Sequence, residues 1–322
     1  MKRKTVGMIS SYQNLDQRDW LWQQTPHSLG VWNNIQMLAN EPEPDFLLLY
    51  NYHNFPSPIP PQQKVFNLLK RNKKTGITEE EMQHRLRNVP KERVIFLVRE
   101  PPLEYLLDKR IADYEKAQNY CGYISGPDQY APNPEYMPAI WYHLNSFREL
   151  NEMSPPGKVA PCCWITSGID RSENHRNRLA FLKELRESEV EFDLYGRDLP
   201  DWANGYGSVK NKWNIMSPYY YNLAIENFAD NEWYVSEKLW DALLAWCLPI
   251  YYGGPAADKL LPPGSFLRLP SMDEKGIAYI KEVTASLDAW HEAKEAIAEA
   301  RQIILHQLNL LNWLSEFVGK NS

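Results

Sequence analysis

The chain has 322 residues, 43% of them apolar and 24% charged, which is the composition of an ordinary folded soluble protein. Its formal net charge of −6 argues against a general nucleic-acid binder, which needs a basic stripe to displace counterions from phosphates, but leaves room for a local anion pocket. The longest apolar run, Ala242–Tyr252, is about half of what a membrane span requires and contains Pro249, so no transmembrane helix is expected.

At this length two domains of roughly 150 residues each are expected. The opening "MKRKTVGMISSY" is basic, but its apolar stretch is too short for a signal peptide, and the chain reads as cytoplasmic. In the first half the strand candidates are 5–10, 45–52, 93–99 and 121–125, separated by helical patterns over 31–39, 62–72 and 104–117. The stretch "NEMSPPGKVAP", 151–161, concentrates Pro, Gly and Ser and marks a boundary.

A second alternation follows: strand 162–167, helix 174–188, strands 192–196 and 219–227, helix 235–247, then strands 248–252 and 265–270. The tail from Leu287 to Val318 reads as one or two helices. Trp290, Ala293, Ile297, Ile304, Leu308, Leu311 and Leu314 fall on or near one stripe, which must pack against something. Two such α/β units leave a cleft between them, and open α/β sheets bind ligands beyond the carboxyl ends of their strands. Cys121, Cys162, Cys163 and Cys247 show no C-x-x-C spacing and read as reduced thiols rather than metal ligands. The 12 Trp and 19 Tyr suit stacking on sugars or bases, although core packing is the simpler role for any one of them.

Polarity is concentrated in one loop, "ENFADNEWYVSEK", 226–238, between an apolar strand and an amphipathic helix buried through Val235, Leu239, Leu243 and Trp246. Ser236 is a plausible N-cap for that helix, with Glu237 and Lys238 in its first turn. The positive end of the helix dipole disfavours a first-turn lysine, so Lys238 is informative: an anion such as a diphosphate at this N-terminus would account for it. A solvated Glu–Lys pair on the helix surface is the plainer alternative.

The stretch "YYYNLAIENFADNEWYVSEKLWDALLAWCLPIYYGGP" resembles the signature of the α1,3/4-fucosyltransferases, glycosyltransferase family 10, which runs aromatic-x-L-x-F-E-N, then Y-[VI]-[TS]-E-K, then P-[VI]-x-x-G. Leu223, Glu226, Asn227, Tyr234, Val235, Ser236, Glu237, Lys238, Ala242, Pro249, Ile250 and Gly253 match it. Weaker echoes, "PDFLLLYNY", "FLVREPP", "YMPAIWYH" and "DLYGR", extend the likeness over most of the chain.

The resemblance implies an α/β protein of the GT-B type: two Rossmann-like domains facing a cleft, with C-terminal helices bridging them. Residues 1–155 would form the acceptor-binding domain, 156–285 the nucleotide-sugar domain and 286–322 the helical segment across both. It implies an inverting transferase that moves fucose from GDP-fucose to a hydroxyl of an oligosaccharide, O3 of GlcNAc or Glc. Tyr234, Ser236, Glu237 and Lys238 would contact the donor, Glu237 at the ribose and Lys238 at the diphosphate, with Glu226 and Asn227 shaping the pocket. Arg178, or alternatively Arg176, would clamp a phosphate as charge develops on the leaving GDP. Glu100, at a strand end before Pro101 and Pro102, would be the general base. His53 and His143 are weaker acceptor-binding candidates, since a lone His in an aromatic loop is more often a hydrogen-bonded structural residue. No D-x-D motif flanked by a strand is present, and metal-independent chemistry is expected, with Lys, Arg and a helix N-terminus balancing the diphosphate.

Two departures weaken the donor assignment. Ile225 stands where the family has Phe, and Phe228 where Ser is common, so another GDP- or UDP-sugar is the alternative donor. A catalytically inactive nucleotide-sugar or glycan-binding protein is the alternative from another class. The absence of the stem anchor and lumenal cysteine pairs of animal members points to a soluble microbial or viral member.

Overall fold

The computed structural model describes residues 2–12, 20–56 and 77–322. The helix expected over 62–72 lies outside them.

The first half is a seven-stranded sheet. β1 (Lys4–Ser10), β4 (Phe46–Tyr50), β5 (Val94–Leu97) and β6 (Tyr123–Gly126) run parallel, with the short β7 (Asn133–Pro134) beyond β6. Beyond β1 the sheet continues to β3 (Ile35–Met37) and β2 (Val31–Trp32). All five residues of β4 are buried because alternate side chains feed different cores. Phe46, Leu48 and Tyr50 enter the main core, Leu47 and Leu49 a second cluster with Val94 and Phe96. A strand covered on both faces needs no polar alternation, which is why "FLLLY" is an unbroken apolar run.

The helix expected over 31–39 does not form. Val31–Trp32 and Ile35–Met37 pair antiparallel as a hairpin, with Trp32 opposite Ile35 and Asn33 at φ 46° in the turn. Asn tolerates the left-handed conformation that such a two-residue turn needs, and the β-branched and aromatic residues beside it favour the strand. Among the described residues the α-helices of this half are α1 (Glu79–Arg85), α2 (Leu107–Ala117) and α3 (Phe147–Glu152). α1 and α3 each begin with a capping box, Thr78 with Glu81 and Ser146 with Glu149.

The second sheet is parallel throughout, in the order β12 (Leu267–Arg268), β11 (Leu248–Tyr252), β10 (Tyr219–Ile225), β8 (Ala160–Ile165), β9 (Asp193–Tyr195). Its helices are α4 (Glu173–Glu187), α5 (Lys212–Met216), α6 (Glu237–Leu244), α7 (Ala256–Leu260) and α8 (Glu274–Thr284). In both sheets the chain first adds strands on one side and then on the other. The reversal lies between β1 and β4 in the first and between β8 and β10 in the second, and a crevice opens at the carboxyl ends of such strand pairs.

The tail forms α9 (Asp288–Gln302), a π-helical turn (Ile303–Gln307) and α10 (Leu310–Lys320). Its apolar stripe is buried, Leu308 only partly. It touches both sheets' neighbourhoods. Trp290 Nε1 donates to the Trp246 carbonyl at 2.8 Å after α6, while Phe317 packs on Tyr123 of β6 at 4.9 Å between ring centroids. One continuous core therefore runs from Val6 and Ile35 through Ile297 and Leu311 to Leu223 and Ile250. All four cysteines are buried free thiols. Among the described residues no helix is long and apolar enough to cross a membrane.

Candidate functional site

A cleft of about 670 Å³ opens where the carboxyl ends of the two sheets face each other. The first half contributes Tyr50, Asn51, Arg99, Glu100 and Tyr142. The second half contributes Thr166 and Ser167 after β8, Asn227 after β10, Arg178 from α4, and Tyr234, Ser236, Glu237 and Lys238 around the start of α6. Both topological reversals thus supply its walls.

Asn51 sets the first wall. Its left-handed backbone (φ 46°) turns the chain at the end of β4. Its amide N donates to the Leu97 carbonyl at 2.8 Å, and its side-chain oxygen accepts from Arg99 N at 2.6 Å. This pins the end of β5, and with it Glu100, whose carboxylate is exposed and accepts from the Tyr12 hydroxyl. Burial, with the Glu100 charge, pushes the Tyr12 phenol well above its ordinary value, so it stays a donor.

The second wall is built on buried polar groups. Arg178 is 2% exposed; its guanidinium donates to Asn227 Oδ1 and, at 3.0 Å, to the Ser167 carbonyl, so it ties the end of β8 to the end of β10. Its Nε is buried without a partner. Burial lowers Arg178 to about 10, still protonated at neutral pH, with Glu226 opposing the shift. Gly196, after β9, forms part of the floor at φ 147°, and a Cβ there would run into the Thr166 carbonyl.

Glu226 is 2% exposed and does not line the cleft; it lies under it. It accepts from Ser236 N at 2.8 Å, Ser236 Oγ at 2.6 Å and Lys238 Nζ at 3.0 Å. Ser236 caps α6, accepting from Lys238 N at 3.4 Å. The unfavourable placement of Lys238 in the first turn thus already has a counter-charge in the protein, namely Glu226, without any ligand. Glu237 is drawn up by burial, but Lys238, Lys212 and Arg99 outweigh that and hold its carboxyl at about 2. Tyr234 is oriented by Asn231, whose Oδ1 accepts from the Tyr234 amide at 2.9 Å while its Nδ2 reaches across to the Pro127 carbonyl of the first half at 2.6 Å.

Lys212 joins the two walls. Its Nζ lies 2.7 Å from Asp241 and 3.7 Å from Glu237, and Asp241 also accepts from the Tyr142 amide at 3.0 Å.

Seven of the expected site residues line one cleft: Glu100, Asn227, Arg178, Tyr234, Ser236, Glu237 and Lys238. His53 and His143 do not line it. His53 Nδ1 pairs with Asp113 at 3.0 Å, and His143 is buried behind the wall, 3.7 Å from Asp241, where burial lowers it to about 4. Of the two departures from the motif, Ile225 is buried in the sheet core, and Phe228 meets Tyr234 edge-on at 6.3 Å. Arg99, Arg197, Lys210, Lys212, Tyr50 and Tyr142 also line the cleft and escaped the sequence reading. For Arg99 and Arg197 a signal existed: each sits inside a short segment, "FLVREPP" or "DLYGR", at a strand's carboxyl end. Six cations, Arg99, Arg178, Arg197, Lys210, Lys212 and Lys238, face two carboxylates, Glu100 and Glu237. Among the described residues no cluster of His, Cys, Asp and Glu has the makings of a metal site.

Residues 155–292, which carry the whole of the second wall, match the family model for glycosyltransferase family 10 (fucosyltransferase), C-terminal part. Over these residues the chain is similar to family 10 glycosyltransferases. The alpha-(1,3)-fucosyltransferase FucT of Helicobacter pylori is 36% identical over 150 residues, which cover 46% of this chain and 30% of that protein. GDP-fucose protein O-fucosyltransferase 3 of Xenopus tropicalis is 32% identical over 112 residues, covering 33% of this chain and 23% of that protein. The chain therefore spans under a third of the length of these relatives. In overall fold it is similar to the solved Anabaena Alr3699/HepE complex with UDP and glucose, at a TM-score of 0.56 and 10% identity over 99% of this chain and 100% of that one. The two facing sheets thus make a GT-B fold.

Proposed function

We propose that the cleft transfers fucose from GDP-fucose to a hydroxyl of an oligosaccharide, with inversion. The observation that carries this reading is the opposition of an exposed carboxylate, Glu100, on one wall to the family 10 residues Arg178, Asn227, Tyr234, Glu237 and Lys238 on the other. A cleft with six cations to two carboxylates, in a chain of net charge −6, suits a dianionic leaving group.

In this mechanism Glu100 accepts the proton of the acceptor hydroxyl as its oxygen bonds to the anomeric carbon. The bond from that carbon to the β-phosphate oxygen breaks, and the electron pair leaves with GDP. Arg178 and Lys238, with the N-terminus of α6, stabilise the charge that grows on the diphosphate, and Glu237, a carboxylate at any working pH, accepts hydrogen bonds from the ribose hydroxyls. Neutralisation by side chains and a helix N-terminus makes the transfer independent of a divalent metal, and complete loss of turnover in EDTA would contradict this.

The test is release of GDP from GDP-fucose in the presence of galactosyl-N-acetylglucosamine or glucose-terminated acceptors. Glu100→Gln should abolish release while GDP binding by calorimetry is kept. No release with any acceptor, together with no GDP binding by the wild-type chain, would refute the proposal. Release from a UDP-sugar in preference to GDP-fucose would reassign the donor.

A further inference from the structure

The first wall of the cleft carries a cation that the mechanism above does not use. Arg99 immediately precedes Glu100, and its position is fixed because its backbone N is held by Asn51 Oδ1 at 2.6 Å. Its guanidinium lies against the Tyr50 phenol and in the field of Glu237 across the cleft, yet among the described residues no carboxylate is within ion-pairing distance. Arg99 Nη1 and the Tyr50 hydroxyl are both buried and without a hydrogen-bond partner of regular geometry, although both residues line the cleft. Tyr50 is 2% exposed.

Arg99 is half-buried and interacts with the Tyr50 hydroxyl beside it, but among the described residues its buried Nη1 has no acceptor of regular geometry, and a buried donor without an acceptor forfeits its bond to water. Two cations of the second wall do have protein partners: the terminal nitrogens of Arg178 have Asn227 and Ser167, and Lys212 has Asp241. A planar guanidinium fork beside a phenol hydroxyl presents parallel donors matched to two oxygens of one anion.

We propose that Arg99 and Tyr50 form a second oxyanion-binding site, on the first wall of the cleft, that receives an oxyanion carried by a substrate. The site lies beside Glu100, so the oxyanion is held next to the reacting hydroxyl. Two substrates could bring it: the diphosphate of the donor, clamped from both walls, or a carboxylate on the acceptor glycan. The proposal rests on the reading of the cleft as a glycosyl-transfer site.

The experiment compares wild type, Arg99→Met and Tyr50→Phe by calorimetry with GDP and with inorganic pyrophosphate. It adds acceptor KM for a neutral disaccharide and for its uronate counterpart. A weakening of GDP and pyrophosphate binding by 10-fold or more in Arg99→Met, and by less in Tyr50→Phe, assigns the oxyanion to the diphosphate. Unchanged GDP binding, with a 10-fold rise in KM confined to the uronate acceptor, assigns it to the acceptor. In either case the ligand-free melting temperature of Arg99→Met should stay close to that of wild type, because no contact with a carboxylate is broken. Unchanged affinities for all these ligands, or a fall in ligand-free melting temperature with no change in binding, would overturn the site and make Arg99 structural. Should Arg99→Met fail to fold, Tyr50→Phe decides by the same readings. Failure of wild type itself to bind GDP would count against the transferase reading, and the pyrophosphate arm would still judge Arg99 and Tyr50.

Discussion

Glu226→Gln isolates the buried hub beneath the cleft. The glutamate accepts from Ser236 N, Ser236 Oγ and Lys238 Nζ at 2.8, 2.6 and 3.0 Å, and its side chain is fully buried while that of Lys238 is 19% exposed. A glutamine keeps the volume and one acceptor oxygen, so the backbone bond to Ser236 survives, and the serine hydroxyl can rotate to accept from the new amide. What is lost is the charge-assisted bond to Lys238, about 1.5–3 kcal/mol, with part of that recovered because the ammonium is not wholly buried. A net destabilisation of about 2 kcal/mol follows, which for a chain of 322 residues lowers the melting temperature by roughly 3 °C. The assay is differential scanning calorimetry with and without GDP. If the freed ammonium turns to the diphosphate, saturating GDP should stabilise the variant more than wild type, by a margin read from RT ln(1 + [L]/Kd). A ligand-free melting temperature within a degree of wild type would refute the reasoning, because it would mean the carboxylate contributes nothing to holding the start of α6.

Arg178→Lys replaces a fork that ties Asn227 to Ser167 by a single ammonium, and turnover should fall by about 10²–10³-fold while the fold survives; near-wild-type turnover would show that the planar geometry is irrelevant. Gly196→Ala places a Cβ against the Thr166 carbonyl at φ 147°, a backbone conformation closed to alanine, so at least about 2 kcal/mol of stability should be lost, together with GDP affinity. For pH dependence, burial lowers His143 and His175 each to about 4, so both bind protons more weakly folded than unfolded. Their contribution is fully present above pH 6.5 and is lost as the pH falls from 6.5 through 4, up to about 3 kcal/mol for His143, and His143→Gln should flatten the melting-temperature profile in that interval.

The sheets were legible because buried parallel strands are written as apolar runs: "FLLLY" and "LPIYY" had few other structures open to them. Val31–Met37 misled because an apolar pattern at helical spacing hid a turn that depends on one asparagine at positive φ, and three to seven residues are too few for periodicity to separate helix from hairpin. The second wall was legible because its chemistry is packed into thirteen consecutive residues, 226–238, and one arginine a helix away. Of the first wall only Glu100 was picked out, because Tyr50, Arg99 and Tyr142 come from three separated segments, and nothing local says that their side chains meet.

The same contrast bears on how the site works. On the second wall two of the main charges are already engaged: Glu226 neutralises Lys238, and Asn227 accepts from Arg178. A donor arriving there must compete with those bonds or add to them, which favours holding the diphosphate loosely until charge develops on it. On the first wall, among the described residues, Arg99 Nη1 and the Tyr50 hydroxyl have no partner of regular geometry, and Glu100 accepts from the Tyr12 hydroxyl. Asn231, bonded to Pro127 on one side and to Tyr234 on the other, spans the two walls, as does Asp241 through Tyr142 and Lys212. The first wall is therefore coupled mechanically to the second. Removing either strut, by Asn231→Ala or Asp241→Asn, should raise KM for acceptor as well as for donor, and a change confined to one substrate would show that the walls act independently.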